Sequence, residues 1–337
     1  MQHDLHRFLS GTVLAGGQLD PTLLGLSWIG LAEPTHVPQG LPCQQLHAPC
    51  LLGEPVEAWF GAGPAEAGTR HGVRYRHDGE LLFGVIEVAE DAAAALGGDS
   101  GPVLQRAGRQ AYDAVFRLLA EEGYSHLWRI WNYLPRINEE TDGLERYRQF
   151  NIGRHLAFEA AGRLVMDSIP AASALGVQGG PLSVAFLAGR APTRSIENPR
   201  QLSAFRYPAD YGPCSPTFSR AALGRHADTE WLFVSGTASI VGHQSVHPGD
   251  PVAQTREIVT NLDAVLAEAS RCSAGPAYHL PELSARVYVR HPEHLAPVQA
   301  ELTRALGAEA QLVYLQADVC RADLLVEVEA QACHLLS

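Results

Sequence analysis

The stretch WLFVSGTASIVG at 231–242 joins a run of aromatic and β-branched residues to a glycine-containing turn, the pattern of a buried strand that ends in a bend. Five more elements follow in the order helix, strand, helix, strand, strand, at 251–270, 284–290, 294–306, 310–317 and 323–330. Apolar residues recur near 3.6 spacing in the helices and in short apolar or alternating runs in the strands. This half of the chain is therefore predicted to be an α+β module.

The first half of the chain has the same order of elements. They are predicted at 81–88, 102–122, 125–135, 144–162, 173–177 and 182–189. Residues 1–75 are rich in Gly and Pro, which predicts strands and loops that cover another part of the protein. We therefore expect an α+β fold of two related modules with mixed sheets, helices packed on one face of each, and domains at 1–190 and 191–337.

The composition limits the classes of partner. The 337 residues carry a formal net charge of −12, which argues against nucleic acid or anionic lipid, because both require a basic surface. The same charge repels small anions, so an anionic substrate needs specific arginines in a partly dehydrated pocket. Six cysteines without a CxxC pair indicate reduced thiols rather than disulfides or a zinc knuckle.

Membrane and export signals are missing from the sequence. No stretch reaches the roughly eighteen apolar residues that cross a bilayer. The opening residues MQHDLHRFLSG lack the basic and then apolar pattern of a secretory signal. We expect a cytoplasmic protein with no membrane partner.

Motifs for cofactors and metals are also missing. The sequence has no GxGxxG, no P-loop and no GxSxG nucleophile elbow. His243 and His247 have the spacing of a metal-binding pair, but the Gly and Pro around them predict a loop, and no third ligand is nearby. We expect neither a metal nor an organic cofactor.

Three segments of the second half carry a resemblance: FVSGTASIVG at 233–242, AQTREIVTNLDAVLAEAS at 253–270 and DLLVEVEA at 323–330. In order and spacing they resemble the Rid (YjgF) superfamily of small trimeric α+β proteins. Each segment alone is common. Together they imply modules of the Rid/YjgF-like, or chorismate-mutase-like, type.

Four other segments carry a more specific resemblance: RIWNYLPRIN at 129–138, GLERYRQFNIGR at 143–154, IPAASALGVQGG at 169–180 and RSIENPRQLSAFRYPADYGPCSPTFSRA at 194–221. They look like the chorismatase family, whose members carry a Rid-like C-terminal domain behind a related N-terminal one. The central block is absent from plain Rid proteins. The resemblance implies a monomer that releases pyruvate from chorismate without a cofactor, in a pocket that belongs mainly to the C-terminal domain.

Glu327 is the predicted catalytic acid. Along the strand at 323–330, Glu327 and Glu329 alternate with valines, so both carboxyls share one face of the sheet. From the residues alone, such a pair on a terminal strand is more often simply solvated. In the resemblance, Glu327 matches the glutamate that donates a proton, and a carboxylic acid with a raised pKa can protonate the methylene carbon of an enol ether.

The two carboxylates of chorismate require cationic or hydroxyl-rich ligands. The family's pocket is lined by the segments that match the helix at 144–162 and the Pro-rich loop near 207–211. We expect Arg154 and Tyr211 as ligands, with Tyr147, Arg148 and Arg321 as further candidates. From the residues alone, each is more often a surface arginine or a packed tyrosine, and Arg321 could equally be a turn arginine.

Gly236 and Cys320 are expected to select the product. In the resemblance, a small residue at 236 with cysteine at 320 accompanies members that aromatise the ring, whereas alanine with an aliphatic residue accompanies members that hydrolyse. Gly236 is expected to leave room for the ring, so that Gly236→Ala with Cys320→Val leaves the acid untouched and changes only the product. Structurally, the glycine could serve a turn and the cysteine could be an inert small hydrophobe.

The predicted function is conversion of chorismate to 3-hydroxybenzoate and pyruvate, with 4-hydroxybenzoate as a further product of some members. The alternative within the family is hydrolysis to a dihydroxycyclohexadiene carboxylate and pyruvate. A Rid-type imine deaminase or a noncatalytic binding module is the alternative from another class. Rid deaminases use an arginine in the strand before the closing one, and the matching stretch AQLVYLQA at 310–317 has none.

Overall fold

The computed structural model describes residues 6–9, 19–34, 37–95, 101–164 and 169–336, so part of the segment predicted at 1–75 lies outside the described residues. The helices there are α1 (Glu90–Ala95), α2 (Val103–Glu122), α3 (Arg146–Ala160), α4 (Pro251–Cys272) and α5 (Leu295–Leu306). The strands are β1 (His6–Leu9), β2 (Leu23–Ile29), β3 (Cys43–Leu46), β4 (Cys50–Leu52), β5 (Val56–Phe60), β6 (Glu66–Arg70), β7 (Val73–His77), β8 (Leu81–Val88), β9 (His126–Pro135), β10 (Glu140–Thr141), β11 (Leu144–Glu145), β12 (Ala171–Val177), β13 (Leu182–Gly189), β14 (Arg194–Ile196), β15 (Ala221–His226), β16 (Thr229–Ala238), β17 (Ile240–Val241), β18 (Gln244–Ser245), β19 (Ser284–Val289), β20 (Leu312–Gln316) and β21 (Val326–Leu335). None of the helices in these ranges has the length and apolar character needed to cross a membrane.

Two large sheets share one strand order. The first sheet runs β6-β7-β8-β13-β9-β12, and the second runs β14-β15-β16-β21-β19-β20 with β4 added at its edge. In each, the β9–β12 or β19–β20 pair is parallel and its neighbours are antiparallel. Parallel neighbours need a crossover, which α3 and α5 provide. The predicted α+β fold of two related modules is confirmed, and the domain boundary at residue 190 stays a prediction.

The two sheets pack face to face, with helices outside. Buried residues such as Leu118 of α2 and Phe186 of β13 fill the space between the first sheet and its helices. Leu262 of α4 and Val328 of β21 belong to the matching cluster under the second sheet. A third cluster, rich in tryptophan and other aromatic residues of β9 and β16, joins the inner faces. Each sheet therefore carries helices on one face, as predicted.

The early part of the chain covers the edges of this arrangement. A four-stranded sheet of order β1-β5-β2-β3 forms there, and β4 pairs with β20 of the second sheet. Leu24 and Trp59 from this region belong to the cluster between the large sheets. The described residues thus agree with strands that cover another part of the protein.

Local sequence signals place the helices that bear on the site. Asp250 caps α4 by accepting from the N–H groups of Val252 and Ala253 at 3.0 and 2.9 Å. Gly153 lets α3 approach α2, because a Cβ there would overlap the carbonyl oxygen of Gln105. This close contact sets the position of α3 above the first sheet.

The closing strand begins later than predicted. β21 starts at Val326, and not at residue 323, because Leu324 donates its N–H to the carbonyl oxygen of Arg321 at 3.1 Å and the chain turns there. The strand then continues to Leu335, beyond the predicted end at 330. The turn places residues 320–322 beside the start of β21.

A β-bulge interrupts β16, which ends at Ala238 rather than at 242 as predicted. Its register with β21 shifts between Val234 and Thr237, so Ser235 and Gly236 lie in the irregular part. The Ser235 hydroxyl donates to the carbonyl oxygen of Ser219 at 2.5 Å, which ties the bulge to the neighbouring chain. Bulges re-aim side chains near sites, and this one faces the candidate site.

Candidate active site

A cavity of about 290 Å³ lies where α3, the segment 207–220, β16, the loop at 320–322 and β21 meet. Its lining residues are Glu145, Tyr147, Arg148, Tyr207, Asp210, Tyr211, Pro216, Phe218, Arg220, Gly236, Ala238, Ile240, Cys320, Arg321, Ala322 and Glu327. An inner recess of about 30 Å³ shares Glu327, Gly236 and Cys320 with it and adds Arg154 and Ser173. Thirteen of the sixteen cavity residues come after residue 190.

All eight residues predicted for the site line this space. Seven of them, Glu327, Cys320, Gly236, Tyr147, Arg148, Tyr211 and Arg321, line the cavity, and Arg154 lines the recess. Side chains separated by about 180 positions are thus brought together. Their individual roles stay predictions.

Glu327 projects from β21 into the space between the sheets and is only 4% exposed. Burial and the nearby Glu329 carboxylate raise its pKa from 4.5 to about 8. Its carboxyl makes no hydrogen bond or ion pair with any described residue, although its backbone pairs with β16 and β19. A solvated pair, the alternative considered for these glutamates, is therefore wrong for this strand.

Glu329 lies on the same face of β21 but has a different environment. Its Oε2 accepts from Nη2 of Arg129 at 2.6 Å and from the hydroxyl of Ser173, and its Oε1 lies 3.5 Å from Nη1 of Arg286. Two buried guanidinium groups therefore contact this carboxyl directly. Glu327 is thus the one of the two carboxyls left without a cation bound to it.

Arg154 is a buried guanidinium without a carboxylate partner among the described residues. It is 2% exposed, donates to Oδ1 of Asn151 at 3.0 Å and stacks on the ring of Phe150 at 5.3 Å. Its Nε is buried and has no hydrogen-bond partner. A buried charge in this condition is costly unless an anion joins it, so the recess is suited to a carboxylate.

Arg220, which sequence reasoning missed, also faces the cavity. Its Nη2 donates to the carbonyl oxygen of Leu202 and to the hydroxyl of Tyr207, both at 2.8 Å, and its guanidinium stacks on Phe218 at 5.2 Å. It forms no ion pair within 4.0 Å with a described carboxylate. Its place in the block at 194–221 was the available signal, but the residue order does not show which way its side chain points.

The outer wall is built around Arg321 and Tyr211. The Arg321 guanidinium lies 4.1 Å from the centre of the Tyr211 ring and donates to the carbonyl oxygen of His243 at 2.9 Å. The Tyr211 hydroxyl is 3.2 Å from Nδ1 of His243. Arg148 differs, because it is 36% exposed and pairs with Glu145 at 3.2 Å.

The loop that carries Cys320 and Arg321 is fixed by Arg290. All five N–H groups of its guanidinium donate, to Leu324 O at 2.8 Å, Asp318 Oδ1 at 2.6 Å, Asn138 Oδ1 at 3.1 Å, Val319 O at 3.1 Å and Arg321 O at 2.9 Å. Burial and the neighbouring Glu327 raise the pKa of the Cys320 thiol to about 12, so the thiol is a neutral wall near pH 7.

Gly236 touches the acid rather than empty space. A Cβ at this position would overlap Oε1 of Glu327 and lie 2.8 Å from its Cδ, with the Cβ of Ser173 next at 3.3 Å. The expectation that Gly236→Ala leaves the acid untouched is therefore wrong. The methyl group would first displace the Glu327 carboxyl.

Comparisons with known proteins point to one family. The family description "Chorismatase FkbO/Hyg5-like, N-terminal" matches residues 57–188. A 3-hydroxybenzoate synthase from Streptomyces hygroscopicus is 37% identical over 91% of this chain and 90% of its own length. A crystal structure of a chorismatase covers 97% of both chains, with 32% identity and a TM-score of 0.85.

Proposed function

The chain is an enzyme of the chorismatase family, and we propose that it converts chorismate to 3-hydroxybenzoate and pyruvate. The name of the relative from Streptomyces hygroscopicus supports this product. The observation that carries the proposal is a bare carboxyl, Glu327, buried beside guanidinium groups that have no carboxylate partner among the described residues. An enol ether dianion needs both a proton donor and cations.

Glu327 acts as the proton donor. Its pKa of about 8 keeps it protonated near pH 7, because burial penalises the charged form. The acid transfers its proton to the terminal methylene carbon of the enolpyruvyl arm. An oxocarbenium-like centre forms, and the ether oxygen becomes a leaving group.

The arginines bind the two carboxylates. Arg154 is placed to bind one of them in the recess, and Arg220 and Arg321 face the cavity with Tyr211 beside them. Guanidinium groups in a partly dehydrated site bind carboxylates in a defined orientation. Tyr147 and Arg148 line the same cavity and contribute to its shape and charge.

The 4-hydroxyl then displaces the side chain at the neighbouring ring carbon. The carbon–oxygen bond to the arm breaks, pyruvate leaves with that oxygen, and the hydroxyl proton is released, which replaces the proton that Glu327 gave. The resulting arene oxide rearranges to 3-hydroxybenzoate. Chorismate is thus converted without oxidation, reduction or added water.

Gly236 and Cys320 select between this route and hydrolysis. Gly236 lets the Glu327 carboxyl lie against the bulge of β16, and Cys320 supplies a compact neutral wall. A larger residue at 236 re-aims the acid, and water then competes with the 4-hydroxyl. We also propose a monomeric, cytoplasmic enzyme that needs no cofactor, with most of its site in residues 191–337.

The test is incubation of the purified protein with chorismate in the presence of a chelator. Pyruvate is measured with lactate dehydrogenase, and the ring product is identified by chromatography. We expect one pyruvate per chorismate and 3-hydroxybenzoate as the main aromatic product. Absence of pyruvate contradicts the proposal, and a dihydroxycyclohexadiene carboxylate as main product replaces it with hydrolysis.

Glu327→Gln should lower turnover by about 10²-fold or more, because the amide has the same shape and cannot donate the proton. The variant should also be at least as stable as the wild type at pH 7. In the unfolded chain Glu327 ionises near 4.5, whereas the folded protein keeps its proton up to about 8, so wild-type stability falls as the pH rises between these values. A fully active Glu327→Gln enzyme would show that another group is the acid.

A further inference from the structure

Two carboxyls lie two residues apart on one face of β21, and their partners differ. Glu329 receives hydrogen bonds from Arg129 and Ser173 and lies 3.5 Å from Arg286, whereas Glu327 has no such contact with a described residue. Arg129 is 2% exposed and Arg286 is 1% exposed, so solvent screens these charges weakly. One carboxyl is thus bound by arginines, and the other has no such partner.

We propose that Glu329 is a positioning residue that keeps Glu327 protonated by binding Arg129, the cation that would otherwise pair with the acid. The inference rests on the proposed function, in which Glu327 is the proton donor. Glu329 neither touches the cavity nor takes part in proton transfer. Its role is to occupy the guanidinium and to add a negative charge behind the acid.

Arg129 contacts Glu329, and its charge also acts on Glu327. Its Nη2 donates to Glu329 and to the hydroxyl of Ser173 at 2.9 Å, while its Nη1 is buried without a hydrogen-bond partner. Ser173 lines the recess beside Glu327, and the Glu327 carboxyl feels the charge of Arg129. If a neutral residue replaced Glu329, Arg129 would lose its carboxylate partner, and Glu327 is a buried carboxyl on which its charge already acts.

The other charges around the two carboxyls bear on the expected pH dependence. The titratable and charged groups that face Glu327 are Glu329, Arg129, Arg220, Arg290, Tyr147, Cys320 and Arg154. Burial raises the pKa values of Tyr147 and Cys320, so both stay neutral near pH 7. Those that face Glu329 are Arg129, Arg286, Tyr133 and Tyr288, and Arg286 also pairs with Glu57. Burial raises the pKa of both tyrosines, so Arg129 and Arg286 are the charged groups that contact Glu329 near pH 7.

The experiment measures kcat/KM for chorismate against pH in two variants. One removes the carboxyl at 329 and the other removes the cation at 129, so the pH profile should shift in opposite directions. The protonated acid is active, so the wild-type profile falls as the pH passes the pKa of Glu327. In Glu329→Gln, Arg129 stabilises ionised Glu327, and the falling limb should move to lower pH by about one unit or more, with about tenfold lower kcat/KM above it. In Arg129→Met, Glu329 keeps its charge through Arg286, and the limb should move to higher pH.

A double variant controls for damage to the core. Glu329→Gln with Arg129→Met removes both charges, and its limb should lie between those of the single variants. Loss of packing cannot produce opposite shifts in the two single variants. If Glu329→Gln does not fold, the Arg129→Met variant alone tests the proposal. A falling limb that stays in place or moves to lower pH in that variant overturns the proposal.

Infrared spectroscopy tests the same inference without substrate. The difference spectrum between the wild type and Glu327→Gln should contain the C=O stretch of a protonated carboxyl at pH 7. The same comparison is then made between Glu329→Gln and the double variant Glu329→Gln with Glu327→Gln. There the band should disappear at a lower pH than it does in the protein with Glu329 intact. If the band moves as expected but chorismate is not converted, the proposed function fails and this inference stands. If chorismate is converted and neither band nor limb responds to Glu329 and Arg129, this inference fails and the function stands.

Discussion

The space between the two sheets contains two regions that differ in whether their charged side chains are paired. In the ion-pair belt, formed by Glu57, Arg129, Arg286 and Glu329, each carboxylate meets a guanidinium: Arg286 pairs with Glu57 and lies 3.5 Å from Glu329, which binds Arg129 at 2.6 Å. In the cavity, the guanidinium groups of Arg154, Arg220 and Arg321 have no carboxylate partner among the described residues. The Glu327 carboxyl likewise has no cation bound to it among those residues.

This difference in pairing distinguishes the charged side chains that hold the sheets together from those that are available to a ligand. A buried pair that loses one member leaves an uncompensated charge, which is strongly destabilising. A buried cation without a carboxylate partner already bears that cost in the free protein, and an anionic substrate relieves it. The belt should therefore matter for stability, and the cavity for binding and turnover.

The largest contrast is expected between two buried arginines changed to the same residue. Arg286→Met removes the guanidinium from Glu57, which keeps only His6 and Gln331 as partners among the described residues, and should lower the free energy of unfolding by about 3–5 kcal/mol. Arg154→Met strands no carboxylate and should stay within about 1 kcal/mol of the wild type. Urea unfolding at pH 7 measures both. Equal destabilisation of the two variants would contradict the division into belt and cavity.

A smaller effect is expected on binding. Arg154→Met should lower kcat/KM for chorismate by about 10- to 100-fold, mainly through KM, because a hydrogen bond to a charged group contributes about 1.5–3 kcal/mol. Arg148→Met is the matched control, since this side chain is partly exposed and already paired with Glu145. Steady-state kinetics on both variants measures the change in kcat and KM. A larger loss in Arg148→Met would place the carboxylate at the outer rim.

The smallest effect on rate, and the most specific effect on product, is expected at the bulge of β16. Gly236→Ala should reduce turnover by about tenfold or less, because the methyl group turns the Glu327 carboxyl without removing it. Hydroxybenzoate should give way to the dihydroxycyclohexadiene carboxylate, and adding Cys320→Val should extend the change. Chromatography of the products from both variants provides the measurement. An unchanged product ratio would show that position 236 does not act through the acid.

Much of the fold followed from local patterns. Helical periodicity placed α2 and α4 within about two residues of their observed ends, and the repeated order of elements predicted two related modules. Caps and apolar spacing act between neighbouring residues, so they are legible in the chain itself. The start of β21 was missed because the chain turns at Leu324. This turn depends on the hydrogen bond from the Leu324 N–H to Arg321 and on the distant Arg290 side chain, which donates to the Leu324 carbonyl oxygen.

The candidate site was predicted through the family resemblance, which supplied residue positions without their surroundings. Glu327 and Arg154 could be named, but whether the carboxyl is solvated or buried could not be decided from alternation along one strand. Arg220 was missed because its side chain direction depends on the packing of Phe218 and Tyr207 around it.

The sequence by itself determined the order of elements, the duplicated α+β design and the residue types available for chemistry, because these depend on periodicity and on side-chain identity. Only the tertiary structure decided which glutamate on β21 contacts buried arginines and which is buried without one. Arg129 and Glu329 are 200 positions apart and meet because the inner faces of two sheets pack together. Burial and neighbouring charge set a carboxyl's pKa, and both are properties of the surrounding three-dimensional packing rather than of the residue.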